Sequence, residues 1–315
     1  MKPDARILVT GAAGFVGGHA RVALRAAFPA ARLIAAIHRR PATGWDESVA
    51  FDLANPRPVL ERVAPDALLH LGAQSNVAAS FRDVAATWEV NLTGSLSLGA
   101  AIMDVAPECR LIFASTGEIY GLSFQRGVAL DEDAPLAPGN PYAAAKAAAD
   151  IALGEMALRG LRVVRMRPLN HVGPGQSEGF AVAAFARQVA RIEAGLQEPV
   201  LRVGALDRWR DFLDVRDVAA AYARALERWD ALPNGVALNL ASGTPRRIGD
   251  VLATLIARSG RDIRIEEAAD ALRPNDIVQS LGDAGRARQL LGWQPEIAWE
   301  ATLDSVLADW RARVS

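Results

Sequence analysis

The chain of 315 residues has little cysteine, little histidine, almost no net charge and no long apolar run, and each shortage excludes something. Its one cysteine, Cys109, can close no internal disulfide, and four histidines spread along the sequence form no metal-ligand spacing. Cys109 is expected to face the core beside the strand at 110–115. With 35 Lys plus Arg against 36 Asp plus Glu, the net charge of −1 lacks the clustered basic excess of a nucleic-acid surface. No uncharged apolar stretch approaches the roughly 18–20 residues of a membrane-spanning helix. Lys2, Asp4 and Arg6 lead directly into a short apolar strand, without the apolar core of a signal peptide. The expectation is a soluble, cytoplasmic protein, and an apolar content of 51% suits a well-packed domain.

What is present is a rhythm. Short apolar, β-rich runs at 7–10, 33–37, 68–71, 111–115 and 163–167 alternate with amphipathic stretches at 14–27, 81–105 and 142–159. That alternation predicts an α/β fold, a doubly wound parallel sheet covered on both faces. After Pro168 the pattern changes. A Gly- and Pro-rich segment at 170–179 precedes a helix at 180–194 and a short strand at 201–203. A helix at 214–228 and a strand at 237–240 return to the sheet, and helices follow at 248–259, 283–291 and 299–313. Gly292 and Pro295 suit the end of the second of these. The expected organisation is a dinucleotide-binding domain at 1–168, rejoined by 214–241, with a smaller mixed α/β substrate lobe from 169–213 and 242–315.

The first strand runs into Gly11-Ala12-Ala13-Gly14-Phe15-Val16-Gly17. Gly11 permits a tight turn, Gly14 a close approach of backbone to a pyrophosphate, and Gly17 the packing of helix on strand. Free N–H groups and the positive dipole end at the helix start then face the phosphates. The second strand ends in His38-Arg39-Arg40, where an acid would select a ribose 2′-hydroxyl. Two guanidiniums there favour a 2′-phosphate, hence NADP(H) over NAD(H), although a solvated basic turn has the same composition. Asp52-Leu53 follows another short strand and is placed either to hold an adenine or to cap a helix.

Tyr142 and Lys146 stand four residues apart in Asn140-Pro141-Tyr142-Ala143-Ala144-Ala145-Lys146 and so share a helix face. A lysine charge beside a phenol favours phenolate, which predicts a tyrosine pKa lowered toward neutrality and fit for proton transfer. The spacing is common on its own. Ser115 and Thr116 end the strand at 111–115, and either hydroxyl can donate to a developing alkoxide.

Together these pieces resemble the extended short-chain dehydrogenase/reductase family, and the resemblance runs from Ile7 to Trp310. It rests on Gly11/Gly14/Gly17, Asp52-Leu53, Pro65-Asp66 with His70-Leu71-Gly72-Ala73, Asn91, Ser115-Thr116-x-Glu118-x-Tyr120-Gly121, Tyr142-x-x-x-Lys146 and Arg167-Pro168-x-Asn170. The resemblance implies a Rossmann fold, with Leu71, Gly72, Ala73 and Asn91 beside the cofactor. Tyr142 would be the acid/base, Lys146 the ligand of the nicotinamide ribose, and Thr116 the hydroxyl on the substrate oxygen. It also implies a homodimer in which the helices at 81–105 and 142–159 pack as four.

The second lobe resembles the members that reduce a GDP-4-keto-6-deoxymannose. Arg167-Pro168-Leu169-Asn170-His171-Val172-Gly173-Pro174-Gly175-Gln176 carries that likeness, with Leu169 in place of the usual Phe. Arg210-Asp211-Phe212-x-Asp214 and Leu272-Arg273-Pro274-x-Asp276 add to it. Arg210 and Arg273 would clamp a diphosphate, as forked guanidiniums do, and Asn170 would lie near the phosphates or sugar. His171 reads as a packing residue, and Asp211, Asp214 and Asp217 as structural partners of nearby arginines. The product would be GDP-D-rhamnose or its C4 epimer. Glu118 keeps an alternative open: Thr116 and Glu118 have the spacing with which related dehydratases remove a C5 proton, so a GDP-mannose 4,6-dehydratase or a 4-epimerase with retained cofactor competes.

Overall fold

The computed structural model describes residues 1–267 and 277–314. Its first half alternates strand and helix: β1 (Arg6–Thr10), α1 (Phe15–Ala27), β2 (Arg32–Ile37), β3 (Glu47–Ala50), α2 (Arg57–Val63), β4 (Ala67–His70), α3 (Val77–Arg82), α4 (Val84–Trp88), α5 (Gly94–Val105), β5 (Arg110–Ala114), α6 (Pro141–Leu158) and β6 (Val163–Pro168). The second half adds β7 (Asn170–Val172), α7 (Ala181–Glu193), β8 (Val200–Val203), β9 (Trp209–Asp214), α8 (Val215–Glu227), β10 (Ala237–Leu240), β11 (Pro245–Arg247), α9 (Ile248–Ser259), β12 (Arg264–Glu267), β13 (Gln279–Ser280), α10 (Gly285–Leu291) and α11 (Trp299–Val314).

Seven strands form one parallel sheet in the order β10-β6-β5-β4-β1-β2-β3. β4 is buried along its whole length, as expected of a strand covered on both faces. The chain winds outward from β1 to β3, then restarts beside β1 at β4 and winds the other way. Ligands of open α/β sheets bind at such a reversal, beyond the carboxyl ends of the strands. Thr10 and His70 close β1 and β4 side by side at that point.

Two apolar clusters sandwich the sheet. α1 and α8 contribute Ala20, Leu24, Val218 and Tyr222 to one. α5 and α6 contribute Leu98, Ile102 and Leu153 to the other, together with Cys109, which is buried as its neighbours implied. A third cluster, from α7, α9 and α11, closes the smaller lobe around β9, which pairs with β7, β11 and β13.

Two departures from the sequence reading have physical causes. The helix expected over 81–105 breaks into α3, α4, a π-helical turn at Glu89–Thr93, and α5. Asp83 starts α4 by accepting the N–H of Ala86 at 3.0 Å. The wide turn brings the Asn91 amide onto the backbone of Gln74, with Gln74 N donating to Oδ1 at 2.8 Å and Nδ2 donating to Gln74 O at 2.9 Å. Periodicity cannot show such a bulge, which is bought by a tertiary contact. The second departure is in the lobe boundary. The sequence pattern places residues 242–315 wholly in the substrate lobe, yet Ala284, Ala287, Leu291 and Trp293 lie in the core of the large sheet. Trp293 Nε1 donates to Asp217 O at 3.0 Å, and Asp217 accepts the N–H groups of Glu296 and Ile297, which docks this segment on α8.

Candidate active site

The site begins at the turn after β1. Gly11 has φ +69°, and a Cβ there would stand 2.8 Å from the Leu71 carbonyl carbon, so only glycine fits between the strands. A Cβ on Gly17 would lie 2.5 Å from Gly11 O, so α1 can start this close to β1 only without a side chain. Gly14 N–H donates to Gly11 O at 2.9 Å, and α1 has no side-chain cap and no acid in its first turn, leaving the N–H groups of Phe15 and Val16 for an anion. They open into a cleft of about 1750 Å³. That exceeds the roughly 300–1,000 Å³ of a single small-molecule pocket and gives room for a dinucleotide and a second ligand together.

The dinucleotide half of the cleft is lined by the glycine turn, by His38, Arg39 and Arg40, by Asp52 and Leu53, and by Leu71, Gly72 and Ala73. His38, Arg39 and Arg40 are exposed where β2 ends. Asp52 Oδ1 accepts the N–H of Ala54 at 2.9 Å, so one carboxylate oxygen serves its own turn. Asn91, placed by resemblance beside the cofactor, is buried and does not line the cleft. Its amide is spent on Gln74, so it shapes the wall from behind.

The reacting end lies beyond β5. Thr116 caps the 3₁₀ segment Gly117–Arg126, accepting the N–H of Glu118 at 3.2 Å. Asn140 caps α6 by accepting the N–H of Ala143 at 2.8 Å, and Pro141 takes the first helical turn. The cap fixes the helix so that Tyr142, Lys146 and Asp150 fall on one face. Of the two hydroxyls at the end of β5, Thr116 is the one that acts on Tyr142, and both line the cleft. Ser115 is buried beside Asp150.

The expected lowering of the Tyr142 pKa is not what this arrangement produces. Burial pushes it up to about 12, the Thr116 hydroxyl only partly opposes the rise, and the Glu118 carboxylate adds to it. Lys146 Nζ donates to Ala114 O at 2.5 Å and lies 4.0 Å from the centre of the Phe113 ring. Burial also brings the lysine down to about 7, against the opposing charge of Asp150. A helix spacing places two side chains on one face but does not set the direction in which either points.

Asp150 is the hub behind the pair. It is fully buried, with Oδ1 accepting from Arg165 and Arg167 at 2.7 Å each and Oδ2 from Arg167 Nε at 3.1 Å. Arg167 also donates to the Tyr120 hydroxyl at 3.0 Å, and that hydroxyl donates to Asn239 Oδ1 at 2.7 Å. Burial would raise the Asp150 pKa, but the two guanidiniums leave it lowered and the residue ionised.

Asn170 and Arg210 line the far end of the cleft. Arg210 NH1 donates to Trp209 O and Ile277 O at 2.9 Å each, so this arm of the expected diphosphate clamp braces the backbone. Arg273 falls outside the described residues. His171 stacks on Phe15 at 6.3 Å and bonds Leu169 O through Nδ1 at 3.1 Å, a packing role; burial lowers its pKa. Asp211, Asp214 and Asp217 are structural, but among the described residues only Asp214 of the three forms an ion pair with an arginine, Arg216. Asp211 accepts from Ser242, Gly243 and Gly282, binding the ends of β10 and β13 to β9.

Sequence reasoning passed over Gln74, Gln176 and Ser280, which also line the cleft. Gln176 and Ser280 are buried there with an unpaired side-chain oxygen. Gln176 stood inside a matched segment, but nothing in Ser280's neighbours marks it. Among the described residues no group of His, Cys, Asp or Glu could hold a metal ion, and no helix is long and apolar enough to cross a membrane.

Compared with known proteins, residues 8–306 match the family described as GDP-mannose 4,6 dehydratase. A GDP-6-deoxy-D-mannose reductase of Pseudomonas aeruginosa is 35% identical over 312 residues, covering 98% of both chains. A UDP-glucose 4-epimerase of Rhizobium meliloti is 29% identical over 331 residues, covering 98% of this chain and 97% of its own. A solved structure of RMD from Pseudomonas aeruginosa complexed with NADPH superposes with a TM-score of 0.85 at 34% identity, covering 98% of this chain and 99% of that one.

Proposed function

Because the chain belongs to the GDP-mannose 4,6 dehydratase family, we propose that it is a nucleotide-sugar oxidoreductase of the extended short-chain type. Its reaction is reduction of the 4-keto group of a GDP-4-keto-6-deoxy-hexose, giving GDP-D-rhamnose or its C4 epimer. One observation carries the reading. A phosphate-binding turn shares a single cleft with Thr116, Tyr142 and Lys146, in a chain aligned end to end with a GDP-6-deoxy-D-mannose reductase.

Bound NAD(P)H supplies the hydride. The chain's own residues do the rest: Thr116 and Tyr142 hold the ketone oxygen, and Tyr142 gives its proton to that oxygen as C4 is reduced. A high tyrosine pKa suits this direction, since the phenol begins protonated. Lys146 in its charged form binds the nicotinamide ribose and stabilises the phenolate left behind. Gly11, Gly14, Phe15, Val16 and Gly17 take the pyrophosphate, and Asp52 and Leu53 take the adenine. Arg39 and Arg40, with His38, take a 2′-phosphate, so that NADP(H) is preferred and NAD(H) accepted. Asn170, Arg210 and Arg273 take the sugar nucleotide.

The lobes divide accordingly, with 1–168 and 214–241 holding the cofactor. Two copies associate through α6 and the segment from α4 to α5, and the enzyme works in the cytoplasm. Trp88, Val90, Ile151 and Leu158 are large apolar side chains exposed on those elements.

Glu118 supports a second reading. It is half-buried in the cleft and its charge acts on Tyr142, where a dehydratase would place a base. Redox bookkeeping separates the two. Mixed with GDP-4-keto-6-deoxymannose, a reductase oxidises NADPH, and NADH more slowly, with matching loss of absorbance. Turnover of GDP-mannose without net cofactor oxidation would establish the dehydratase instead.

A further inference from the structure

At the carboxyl ends of β1 and β4 a chain of hydrogen bonds runs through the sheet's reversal point. Gly72 N donates to Thr10 Oγ1 at 3.0 Å, and Thr10 Oγ1 meets His70 Nδ1 at 2.7 Å. His70 Nε2 meets Ser95 Oγ at 3.2 Å, and Ser95 Oγ donates to Asn91 O at 2.7 Å. The chain then closes on the cleft wall, because the Asn91 amide grips Gln74 N and O. Residues 72 and 74 are thus held from behind by one continuous network.

The two ends fix its polarity. A backbone N–H can only donate and a carbonyl oxygen can only accept. With the Ser95 proton committed to Asn91 O, Ser95 Oγ must accept from His70 Nε2–H. With Gly72 N–H on Thr10 Oγ1, the threonine proton is left for His70 Nδ1. Only one form of the ring satisfies both neighbours: the neutral imidazole protonated at Nε2. A protonated ring would turn Nδ1 into a donor and strand the Thr10 hydroxyl proton in a buried site. The surroundings act the same way. Burial foremost, and the charge of Lys146 beyond the Phe113 ring, hold the His70 pKa down to about 3.

We propose that His70 is a positioning residue: as a fixed neutral tautomer it locks the phosphate-binding turn after Thr10 to the cleft wall at Gly72, Ala73 and Gln74. It is buried and does not line the cleft. It sets the spacing between the cofactor's pyrophosphate turn and the wall along which nicotinamide and sugar meet. The sugar half of its test rests on the reductase reading given above; the cofactor half does not.

His70→Asn and His70→Gln separate the two halves of the network. Asparagine keeps an acceptor near Nδ1 for Thr10 and loses the donor to Ser95. Glutamine reaches Ser95 and leaves Thr10 unsatisfied. The expected result is a split. His70→Gln weakens NADPH binding, read by nucleotide fluorescence, about tenfold, and His70→Asn leaves it within about twofold while raising the KM for the keto sugar about tenfold. Tenfold corresponds to about 1.4 kcal/mol, at the low end for a buried polar group left unpaired. Variants that shift both constants alike, or neither, would overturn the proposal.

A second measurement uses the unaltered protein and survives any folding failure of the variants. Nitrogen-15 spectra of the four histidines should show one ring, lost in either variant or assigned through its neighbours, protonated at Nε2 only and unchanged from pH 5 to 8. An Nδ1–H tautomer, or titration within that range, would end the proposal. Neither this nor NADPH binding depends on the sugar, so a wild-type enzyme that fails to oxidise NADPH would count against the reductase reading alone.

Discussion

Tyr142 and Lys146 share one helix face, yet burial moves their proton affinities apart, the phenol up to about 12 and the ammonium down to about 7. The neutral phenol is thus the resting form, and the charge that must receive its proton's departure is the labile one. Replacing Tyr142 with Phe should lower turnover by about 10²–10⁴, the usual size of a general-acid contribution, with NADPH affinity retained; steady-state rates and a binding titration check both. The lysine gives a pH dependence with a definite sign. Its charged form dominates below about pH 7 and is lost as the pH rises through that value. In the reductive direction kcat/KM should therefore fall on the alkaline side, with an apparent pKa near 7, and Lys146→Met should remove that limb along with most of the activity. Both residues could be named from their spacing. Their proton affinities could not, because burial and the turn of Lys146 toward Ala114 come from elements remote in the chain.

Helix α6 is set by groups at both of its sides. Asn140 and Pro141 start it, which is legible as a local signal. Asp150 ties its far side to β6 through Arg165 and Arg167, which is not, since the partners lie 15 and 17 residues on and could equally be surface charges. Replacing Asp150 with Asn leaves two guanidiniums in a largely buried site without their counter-charge. That should cost about 3–5 kcal/mol, read as a lowered urea midpoint, whereas Asp83→Asn, which keeps a capping side chain, should cost at most about 0.3 kcal/mol. The element most misjudged from sequence is 81–105. Its apolar pattern does continue throughout, but a π turn and the Asp83 cap interrupt it where Asn91 must reach Gln74.

For the whole molecule, the outer faces of α6 and of the 84–105 segment carry a prediction of their own. Ile151 and Leu158 are 58% and 88% exposed on the single chain, a poor solution for a solitary protein and a reasonable one for a face that meets its copy. Ile151→Glu should convert a species of twice the chain mass to one of single mass in equilibrium sedimentation. A wild-type protein already at single mass would remove the homodimer. Taken together, the sequence by itself determined the order of strands and helices, the glycine turn and the candidate acid/base pair, because periodicity, turn stereochemistry and i, i+4 spacing are local. Only the tertiary structure decided that Asn91 is buried behind the cleft wall with its amide on Gln74, that residues 284–293 belong to the large lobe's core, and that His70 is held as one tautomer between β1, β4 and α5. Those outcomes depend on which buried donor meets which acceptor across the sheet, and on burial itself, neither of which any stretch of neighbouring residues contains.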